Sequence, residues 1–259
     1  MASTRTPADV ARIALACLDL TSLNDADTEV QIATLCERAA GPHGNAAAVC
    51  VWPRFARFAR LQAPAAVKVA AVANFPDGST DIERALRDTG EIVHAGAQEV
   101  DVVLPWRALM AGDETSAAAL LQAVRRASDG IVLKVILETG ELREPALIQR
   151  AARLALAAGA DFLKTSTGKT PVSATPQAAE LMLRAIAGDA QARHRVGFKA
   201  AGGIRTVADA ATYLDLVEAA LGSEALTPLR LRIGASALLG DIEAVLGGPA
   251  PATAGASGY

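Results

Sequence analysis

Lysine is scarce in this chain, and its few lysines stand in unusual places. Of the 25 lysine and arginine residues five are lysines, and each lies in or just after an apolar, strand-like segment: Lys68, Lys134, Lys164, Lys169 and Lys199. Arginine stays protonated in proteins, whereas a lysine that is buried or placed beside another cation can lose its proton and become a nucleophile. These lysines are therefore candidates for amine chemistry, although buried lysines also form ion pairs that have no catalytic role.

Eight short runs of aliphatic and β-branched residues predict the elements that position these lysines. Most runs lack the polar alternation of a half-exposed strand, which is typical of parallel strands buried on both faces. They occupy residues 14–20, 46–52, 67–75, 99–105, 131–138, 161–166, 196–201 and 231–235.

Helical patterns with start and stop signals lie between these runs. Thr80 begins a Thr-x-x-Glu capping box, and Thr175 is followed by a proline at a favourable first helical position. Gly96 and Gly159 are predicted to end two helices just before the next strand.

Eight strands that alternate with helices favour a closed (β/α)₈ barrel, here with a short N-terminal helix. A doubly wound open sheet is the alternative, but no Gly-x-Gly-x-x-Gly turn follows the first strand. We expect one barrel domain over residues 1–247 and a flexible tail over 248–259, which is rich in glycine, alanine and proline.

Composition excludes several classes of function. The formal net charge of −3 and the absence of a basic run argue against a nucleic-acid partner. There is neither a signal-like apolar stretch at the N-terminus nor a run of about 18 apolar residues, so we expect a soluble, cytoplasmic protein with no membrane partner. The three cysteines are odd in number and lack metal-ligand spacing, and the sequence therefore predicts no metal site and no disulfide.

In a barrel of this kind the chemistry takes place at the C-terminal ends of the strands. Lys164 and Lys199 lie near the ends of neighbouring strands, where two like charges disfavour double protonation, so one amine should be partly neutral near pH 7. Spacing leaves open which of the two it is. Asp101 could move protons beside them or form a barrel-interior ion pair. The polar residues near the strand ends are Asp19, Thr21, Asn24, Cys50, Asp101, Lys134, Glu138, Lys164, Thr165, Ser166 and Lys199.

Glycines follow the last two predicted strands. Gly202 and Gly203 come after the seventh strand, and Gly234-x-Ser236 ends the eighth. Barrel enzymes often bind phosphate there through backbone N–H groups, although a single glycine pair is also common in ordinary turns.

Eight phrases carry a resemblance to a known family. They are LDLT at 18–21, VCVWPRF at 49–55, NFP at 74–76, EVDVV at 99–103, LKVILETG at 133–140, FLKTSTG at 162–168, GFK at 197–199 with Gly-Gly at 202–203, and GAS at 234–236. In this order they closely resemble the deoxyribose-phosphate aldolases, which are class I, Schiff-base-forming aldolases. The resemblance implies reversible cleavage of 2-deoxy-D-ribose 5-phosphate into D-glyceraldehyde 3-phosphate and acetaldehyde, with no metal and no organic cofactor.

The resemblance also implies roles for individual residues. Lys164 matches the Schiff-base lysine, Lys199 the second lysine that lowers its pKa, and Asp101 the carboxylate of the proton relay. Ala237 stands where the family often has a second serine, and loss of that hydroxyl could weaken phosphate binding by ~1 kcal/mol or shift preference toward neutral aldehydes. The set that resembles the family's phosphate site is Gly168, Lys169, Gly202, Gly203, Arg205, Gly234 and Ser236.

Six further residues are assigned supporting positions: Asp19, Thr21, Cys50, Lys134, Thr165 and Tyr259. Lys134 is given an electrostatic role inside the barrel, and Cys50 is interpreted as a small buried hydrophobe in preference to a pocket-lining thiol. Tyr259 either assists proton transfer at the enamine carbon or has no role in a disordered terminus.

The sequence is also compatible with two other functions. One is a Schiff-base aldolase for another sugar phosphate, and the other is a non-catalytic sugar-phosphate-binding barrel. The expected partners are a small sugar phosphate and aldehydes, and the expected assembly is a monomer or a homodimer.

Overall fold

The computed structural model describes residues 5–247, and the predicted tail and Tyr259 lie outside this range. Its barrel strands are β1 Leu18–Thr21, β2 Ala48–Val51, β3 Lys68–Ala73, β4 Glu99–Val103, β5 Val132–Ile136, β6 Phe162–Lys164, β7 Gly197–Ala201 and β8 Leu231–Ala235. Its helices are α1 Pro7–Ala16, α2 Glu29–Arg38, α3 Pro53–Gln62, α4 Ile82–His94, α5 Trp106–Met110, α6 Glu114–Ala127, α7 Thr139–Leu142, α8 Pro145–Ala157, α9 Pro176–Gly188, α10 Val207–Leu221 and α11 Leu238–Gly247. A small antiparallel pair joins Ala40–Gly41 to Gly44–Asn45, and a 3₁₀ turn spans Ser223–Ala225.

The strands form a closed barrel in which each pairs in parallel with its neighbours along the chain. Closure is made by β1, which pairs with β2 on one side and with β8 on the other. The predicted (β/α)₈ barrel is therefore confirmed and the open-sheet alternative is wrong. A short helix, α1, precedes the first strand, as expected.

The pairing register decides which side chains face the barrel interior. Across neighbouring strands Asp101 pairs with Lys134, Lys164 pairs with Lys199, and Lys199 pairs with Arg232. Paired residues in a sheet point to the same face, and side chains alternate between faces along a strand. The register therefore directs these charged side chains to one interior, while the aliphatic residues between them pack against the helices.

Two local predictions need correction. Residues 14–16, predicted as part of the first strand, form the last turn of α1, where Ala14 and Leu15 pack on its buried face. The predicted capping box at Thr80 is also wrong, because the N-cap of α4 is Asp81, whose carboxylate accepts a hydrogen bond from the Arg84 amide at 2.9 Å. Aspartate is a strong N-cap and stands one residue nearer to the helix.

Other start and stop signals are confirmed. The Thr175 hydroxyl accepts a hydrogen bond from the Ala178 amide at the start of α9. Gly96 and Gly159 follow α4 and α8 with φ angles of 75° and 85°, a left-handed conformation that favours glycine.

The three cysteines are buried free thiols. Within residues 5–247 no helix has the length and apolar character needed to cross a bilayer.

Gly197 begins β7 at a point where there is no room for a side chain. A Cβ atom there would lie 2.3 Å from the ring of Phe162 on β6 and 2.8 Å from the Arg230 carbonyl oxygen. We predict that Gly197→Ala lowers the free energy of unfolding by about 1–3 kcal/mol, because overpacking must displace the ring or the strand. Urea denaturation measures this change.

Gly188→Ala provides the matched control, since a Cβ atom at the end of α9 meets no atom within 4 Å beyond its chain neighbours and its own helix backbone. Its unfolding free energy should stay the same or rise by up to about 1 kcal/mol. Equal stability of the two variants would contradict the packing account of Gly197.

Candidate active site

Seven charged side chains form a connected network inside the barrel. Four are cations and three are carboxylates, and each residue is at most 4% exposed. Charges buried to this degree are stable only when they are paired and hydrogen-bonded. The members are Asp19 on β1, Glu99 and Asp101 on β4, Lys134 on β5, Lys164 on β6, Lys199 on β7 and Arg232 on β8.

Asp101 is the centre of this network. Its Oδ2 atom accepts hydrogen bonds from Lys164 Nζ and from Lys199 Nζ, both at 2.8 Å. Its Oδ1 atom accepts from Lys134 Nζ at 2.7 Å. The structure thus brings together the three residues predicted to be catalytic, with one carboxylate oxygen between the two candidate amines.

A second part of the network lies toward the other end of the barrel. Arg232 donates to Asp19 Oδ1 at 2.6 Å and makes a forked pair with Glu99 at 3.0 and 2.7 Å. Lys199 donates to Asp19 Oδ2, and Lys134 Nζ lies 2.5 Å from Glu99 Oε2. Asp19 and Glu99 therefore each contact two cations at short range.

The environments of the lysines push their pKa values apart. Burial lowers the pKa of Lys164, and the nearby Lys199 ammonium lowers it further, against the opposing effect of Asp101. Burial also disfavours the charged form of Lys199, but Asp101 and Asp19 outweigh it and raise the pKa of Lys199. The pKa of Lys134 is raised in the same way by Asp101 and Glu99. Lys164 is therefore the amine of this group that loses its proton most readily.

The carboxylates remain ionised despite their burial. Burial alone would raise the pKa of Asp101, but Lys134, Lys164 and Lys199 together hold it well below its ordinary value. The same balance lowers the pKa of Asp19, through Lys199 and Arg232.

A cavity of about 290 Å³ opens above this network at the C-terminal ends of the strands. Lys164 lines it, whereas Asp101 and Lys199 are fully buried behind Lys164. The whole predicted phosphate set lines the same cavity, together with Thr21 and Ala237. Its size is suited to one small ligand. The lining residues are Thr21, Ser22, Leu23, Asn24, Lys164, Thr167, Gly168, Lys169, Ala201, Gly202, Gly203, Ile204, Arg205, Gly234, Ala235, Ser236 and Ala237.

Two glycine-bearing loops approach each other closely at the cavity rim. A Cβ atom on Gly202 would lie 2.5 Å from Ser173 Oγ and 3.3 Å from the Cα atom of Gly168. Both glycines have positive φ angles, 84° and 79°. Glycine lets a backbone come near an anion without steric hindrance, as in phosphate-binding loops. At the same rim Lys169 donates from Nζ to the Leu23 carbonyl at 2.6 Å.

The supporting residues occupy several environments. Thr21 donates to the Asp19 carbonyl at 2.8 Å, and Thr165 joins the ends of β6 and β7 by accepting from the Ala201 amide at 3.0 Å. Cys50 is fully buried and is not among the cavity-lining residues. Burial raises the pKa of its thiol. This environment agrees with the interpretation of Cys50 as a small buried hydrophobe.

The sequence predicts no function for three charged residues of this region. Arg232 and Glu99 complete the ionic network, and Glu138 supports the cavity loop. Arg232 and Glu99 stand within apolar runs, and charged residues at alternate positions of such runs are the signal that could have identified them. For Glu138 the sequence predicts only a polar position at a strand end.

Glu138 connects the end of β5 to the loop that carries Gly168 and Lys169. Its buried carboxylate accepts hydrogen bonds from the Thr167 amide at 3.2 Å, the Thr167 hydroxyl at 2.5 Å and the Thr170 hydroxyl at 3.4 Å. Burial raises the pKa of Glu138, against the opposing effect of these hydrogen bonds. Glu138 therefore fixes the position of one wall of the cavity.

The arrangement can support covalent chemistry on a carbonyl compound that carries an anionic group. An amine with a lowered pKa lies at the cavity floor, and a carboxylate and a second ammonium lie directly behind it. Backbone N–H groups and basic side chains lie at the rim, where an anion would bind.

Comparisons with known proteins agree with this description. The model of the DeoC/LacD family aldolases matches residues 13–241. A deoxyribose-phosphate aldolase of Agrobacterium fabrum (strain C58) is 48% identical over 256 residues, which cover 98% of this chain and 97% of the relative. A structure provisionally described as a deoxyribose-phosphate aldolase of Toxoplasma gondii ME49 superposes with a TM-score of 0.84 at 28% identity, over 93% of this chain and 95% of the other. The tetrameric deoxyribose phosphate aldolase of Aeropyrum pernix shares the fold, with a TM-score of 0.69 at 24% identity over 93% of each chain.

We predict that Glu138→Gln loosens the loop over residues 167–170. An amide has one acceptor oxygen in place of two, so one hydrogen bond from Thr167 or Thr170 is lost, and the Thr167 and Lys169 amides should exchange about fivefold faster. Hydrogen–deuterium exchange of the loop peptide measures this.

Glu144→Gln is the control, because Glu144 is exposed and its side chain makes no capping hydrogen bond at the start of α8. Its loop exchange should match that of the wild type. Unchanged exchange in Glu138→Gln would show that the carboxylate does not hold the loop.

Proposed function

This chain belongs to the DeoC/LacD family of aldolases, and from that membership we propose that it cleaves 2-deoxy-D-ribose 5-phosphate through a Schiff base on Lys164. The products are D-glyceraldehyde 3-phosphate and acetaldehyde, and the reaction is reversible. One observation carries the assignment of the nucleophile: Lys164 is the member of the buried cation group that lines the cavity, and its pKa is lowered. The substrate is the one that gives the Agrobacterium fabrum relative, a deoxyribose-phosphate aldolase, its name.

The first half of the reaction forms the electron sink. The neutral Lys164 amine attacks C1 of the open-chain aldehyde, and loss of water from the carbinolamine gives an iminium ion. Lys199 and Asp101 lie next to Lys164 and supply or accept the protons of these steps through an ordered water, since both are buried behind the amine.

The second half breaks the carbon–carbon bond. The C3 hydroxyl loses its proton, the C2–C3 bonding electrons move into the iminium, and glyceraldehyde 3-phosphate leaves an enamine behind. Protonation of C2 and hydrolysis of the resulting iminium release acetaldehyde and restore the amine. The Asp101–Lys199 pair supplies the proton to C2 by way of the same water.

The rim of the cavity is proposed to hold the phosphate. Backbone N–H groups of the glycine loops, with the Ser236 hydroxyl and the Lys169 and Arg205 charges, provide donors for a dianion. When the phosphate is bound at the rim, the aldehyde end of the five-carbon sugar can reach Lys164 at the floor of the cavity.

The alternatives are less well supported. A non-catalytic sugar-phosphate binder has no need of a buried lysine with a lowered pKa beneath its ligand. An aldolase for another sugar phosphate agrees less well with 48% identity to a deoxyribose-phosphate aldolase across nearly the whole chain.

We further propose a single catalytic domain over residues 1–247. A monomer or homodimer remains our prediction for the assembly, and a cytoplasmic location our prediction for the cell. Tetramer formation is a property of the Aeropyrum pernix relative.

We predict that borohydride in the presence of acetaldehyde or deoxyribose 5-phosphate traps an adduct on Lys164, located by peptide mass mapping. Lys164→Ala should lose the adduct, and its rate of cleavage should fall by at least about 10³-fold, as removal of a covalent nucleophile does. Lys68→Ala is the control, because Lys68 is exposed at the first position of β3 and should leave both results unchanged.

An adduct on Lys199 would mean that the two lysines have exchanged roles. Binding of the sugar phosphate without any adduct would indicate the non-catalytic binder. Trapping by another sugar phosphate, without cleavage of deoxyribose 5-phosphate, would indicate the other aldolase.

Ala237 lines the cavity beside Ser236, so a hydroxyl at this position can reach an anion at the rim. We predict that Ala237→Ser lowers the KM for deoxyribose 5-phosphate about fivefold, the equivalent of one added hydrogen bond of ~1 kcal/mol. Steady-state kinetics with unphosphorylated 2-deoxyribose is the comparison, and its KM should not change. An equal fall of both KM values would place the new hydroxyl away from the phosphate.

A further inference from the structure

The ionic network has an excess of positive charge. Arg232 and three lysines face three carboxylates, and all seven side chains are buried. A buried charge without a partner is strongly unfavourable, and a titratable group in that position releases or takes up a proton instead. One of the four cations is therefore expected to lose its proton.

Arg232 cannot be that member, because a guanidinium stays protonated in proteins. It also has the most complete set of acceptors in the network. Its fork binds both oxygens of Glu99, one nitrogen also donates to Asp19 Oδ1, and Nε donates to the Pro228 carbonyl at 2.6 Å. Arg232 thus offsets negative charge on Glu99 and Asp19 that would otherwise stabilise the lysine ammonium groups.

The three lysines differ in the number of carboxylates that they contact. Within 4 Å, Lys134 has three carboxylate partners, Lys199 has two and Lys164 has one. The single partner of Lys164 is Asp101 Oδ2, an oxygen that it shares with Lys199. Lys164 therefore has the fewest carboxylate partners of the four cations, and it is the one that lines the cavity.

We propose that Arg232 is a positioning residue for the amine chemistry of Lys164. Its permanent positive charge, held by Asp19 and Glu99, offsets one of the three negative charges of the network. Two negative charges then remain for three lysines, so the network releases a proton at Lys164. This inference rests on the proposed function, to which it adds the origin of the neutral amine. The Lys199 ammonium acts on Lys164 in the same direction, and Arg232 adds to its effect by occupying Asp19 and Glu99.

The other titratable groups around Lys164 do not alter this charge count. The Cys50 thiol on β2 is neutral, and strand β3 contributes only apolar side chains beyond its exposed Lys68. Glu138 lies near Lys164 but beyond ion-pair distance within the described residues, and its carboxylate is occupied by Thr167 and Thr170. Lys169 and Arg205 lie at the exposed rim, where water screens their charges.

Four variants separate charge from structure. Arg232→Met removes the excess charge, and Arg232→Lys keeps the charge while losing the fork to Glu99. Glu99→Gln removes a carboxylate, and the double variant Arg232→Met with Glu99→Gln restores the original excess of one cation. A purely structural role for Arg232 would make the double variant at least as defective as Arg232→Met.

The readout is the reactivity of the Lys164 amine from pH 5 to 10. Trace labelling with acetic anhydride, followed by peptide mass mapping, compares Lys164 with the exposed Lys68 in the same sample. Arg232→Met should label Lys164 at least about tenfold more slowly at pH 7, because the amine keeps its proton to a pH at least one unit higher. Arg232→Lys and the double variant should lie within about threefold of the wild type.

Glu99→Gln should move the labelling curve of Lys164 in the opposite direction, to lower pH. This variant keeps the test decisive if Arg232→Met fails to fold, which thermal melts will reveal. A labelling curve that stays in place in Arg232→Met, or a double variant no better than Arg232→Met, would overturn the proposal. So would a Glu99→Gln curve that stays in place or moves to higher pH.

Cleavage of deoxyribose 5-phosphate is measured in parallel. The rising limb of kcat/KM against pH should move upward by at least one unit in Arg232→Met, together with the labelling curve. Failure of the wild type to cleave the sugar would refute the proposed function, while the labelling curves would still decide the role of Arg232.

Discussion

One carboxylate oxygen shared by two amines is the interaction on which the rest of this molecule depends. Asp101 Oδ2 accepts from Lys164 and from Lys199 at 2.8 Å, and all three side chains are buried in the barrel interior. Two ammonium groups on one oxygen cannot both be fully compensated at low local dielectric. The amine with fewer partners is therefore the one that becomes neutral, and the remaining interior charges set how strongly this happens.

The fold divides its work between the barrel interior and the barrel mouth. The strand register directs charged side chains from β1 and β4 to β8 into the interior, and the aliphatic residues between them hold the helices in place. The mouth is made of loops whose glycines allow the backbones to approach each other. Glu138 holds one of these loops from the end of β5, and this contact fixes the position of the cavity rim relative to the cavity floor.

The architecture could be predicted from sequence because eight apolar runs with intervening helical patterns have few compatible topologies. The neighbouring placement of Lys164 and Lys199 followed from that topology. Spacing could not distinguish the nucleophile, because the difference depends on how many carboxylates each amine contacts, and only the register and the side-chain geometry determine that number. The roles of Arg232 and Glu99 could not be predicted for a related reason, because a charged residue near the start of an apolar run resembles a strand boundary until its partners across the barrel are known. The sequence predicts the cap of α4 one residue too early, because Thr80 and Asp81 are both good capping residues and only the hydrogen bonds discriminate between them.

The central claim is that Lys164 loses its proton more readily than the buried lysines beside it, and the most direct measurement is a pH titration of the lysine Nζ signals by nitrogen-15 NMR. With five lysines in the chain, the signals can be assigned by single lysine-to-arginine substitutions. The account predicts that Lys164 titrates before Lys134 and Lys199, which remain ammonium groups throughout the accessible range. A Lys164 signal that titrates no earlier than that of Lys134, or a Lys199 signal that titrates before Lys164, would contradict it.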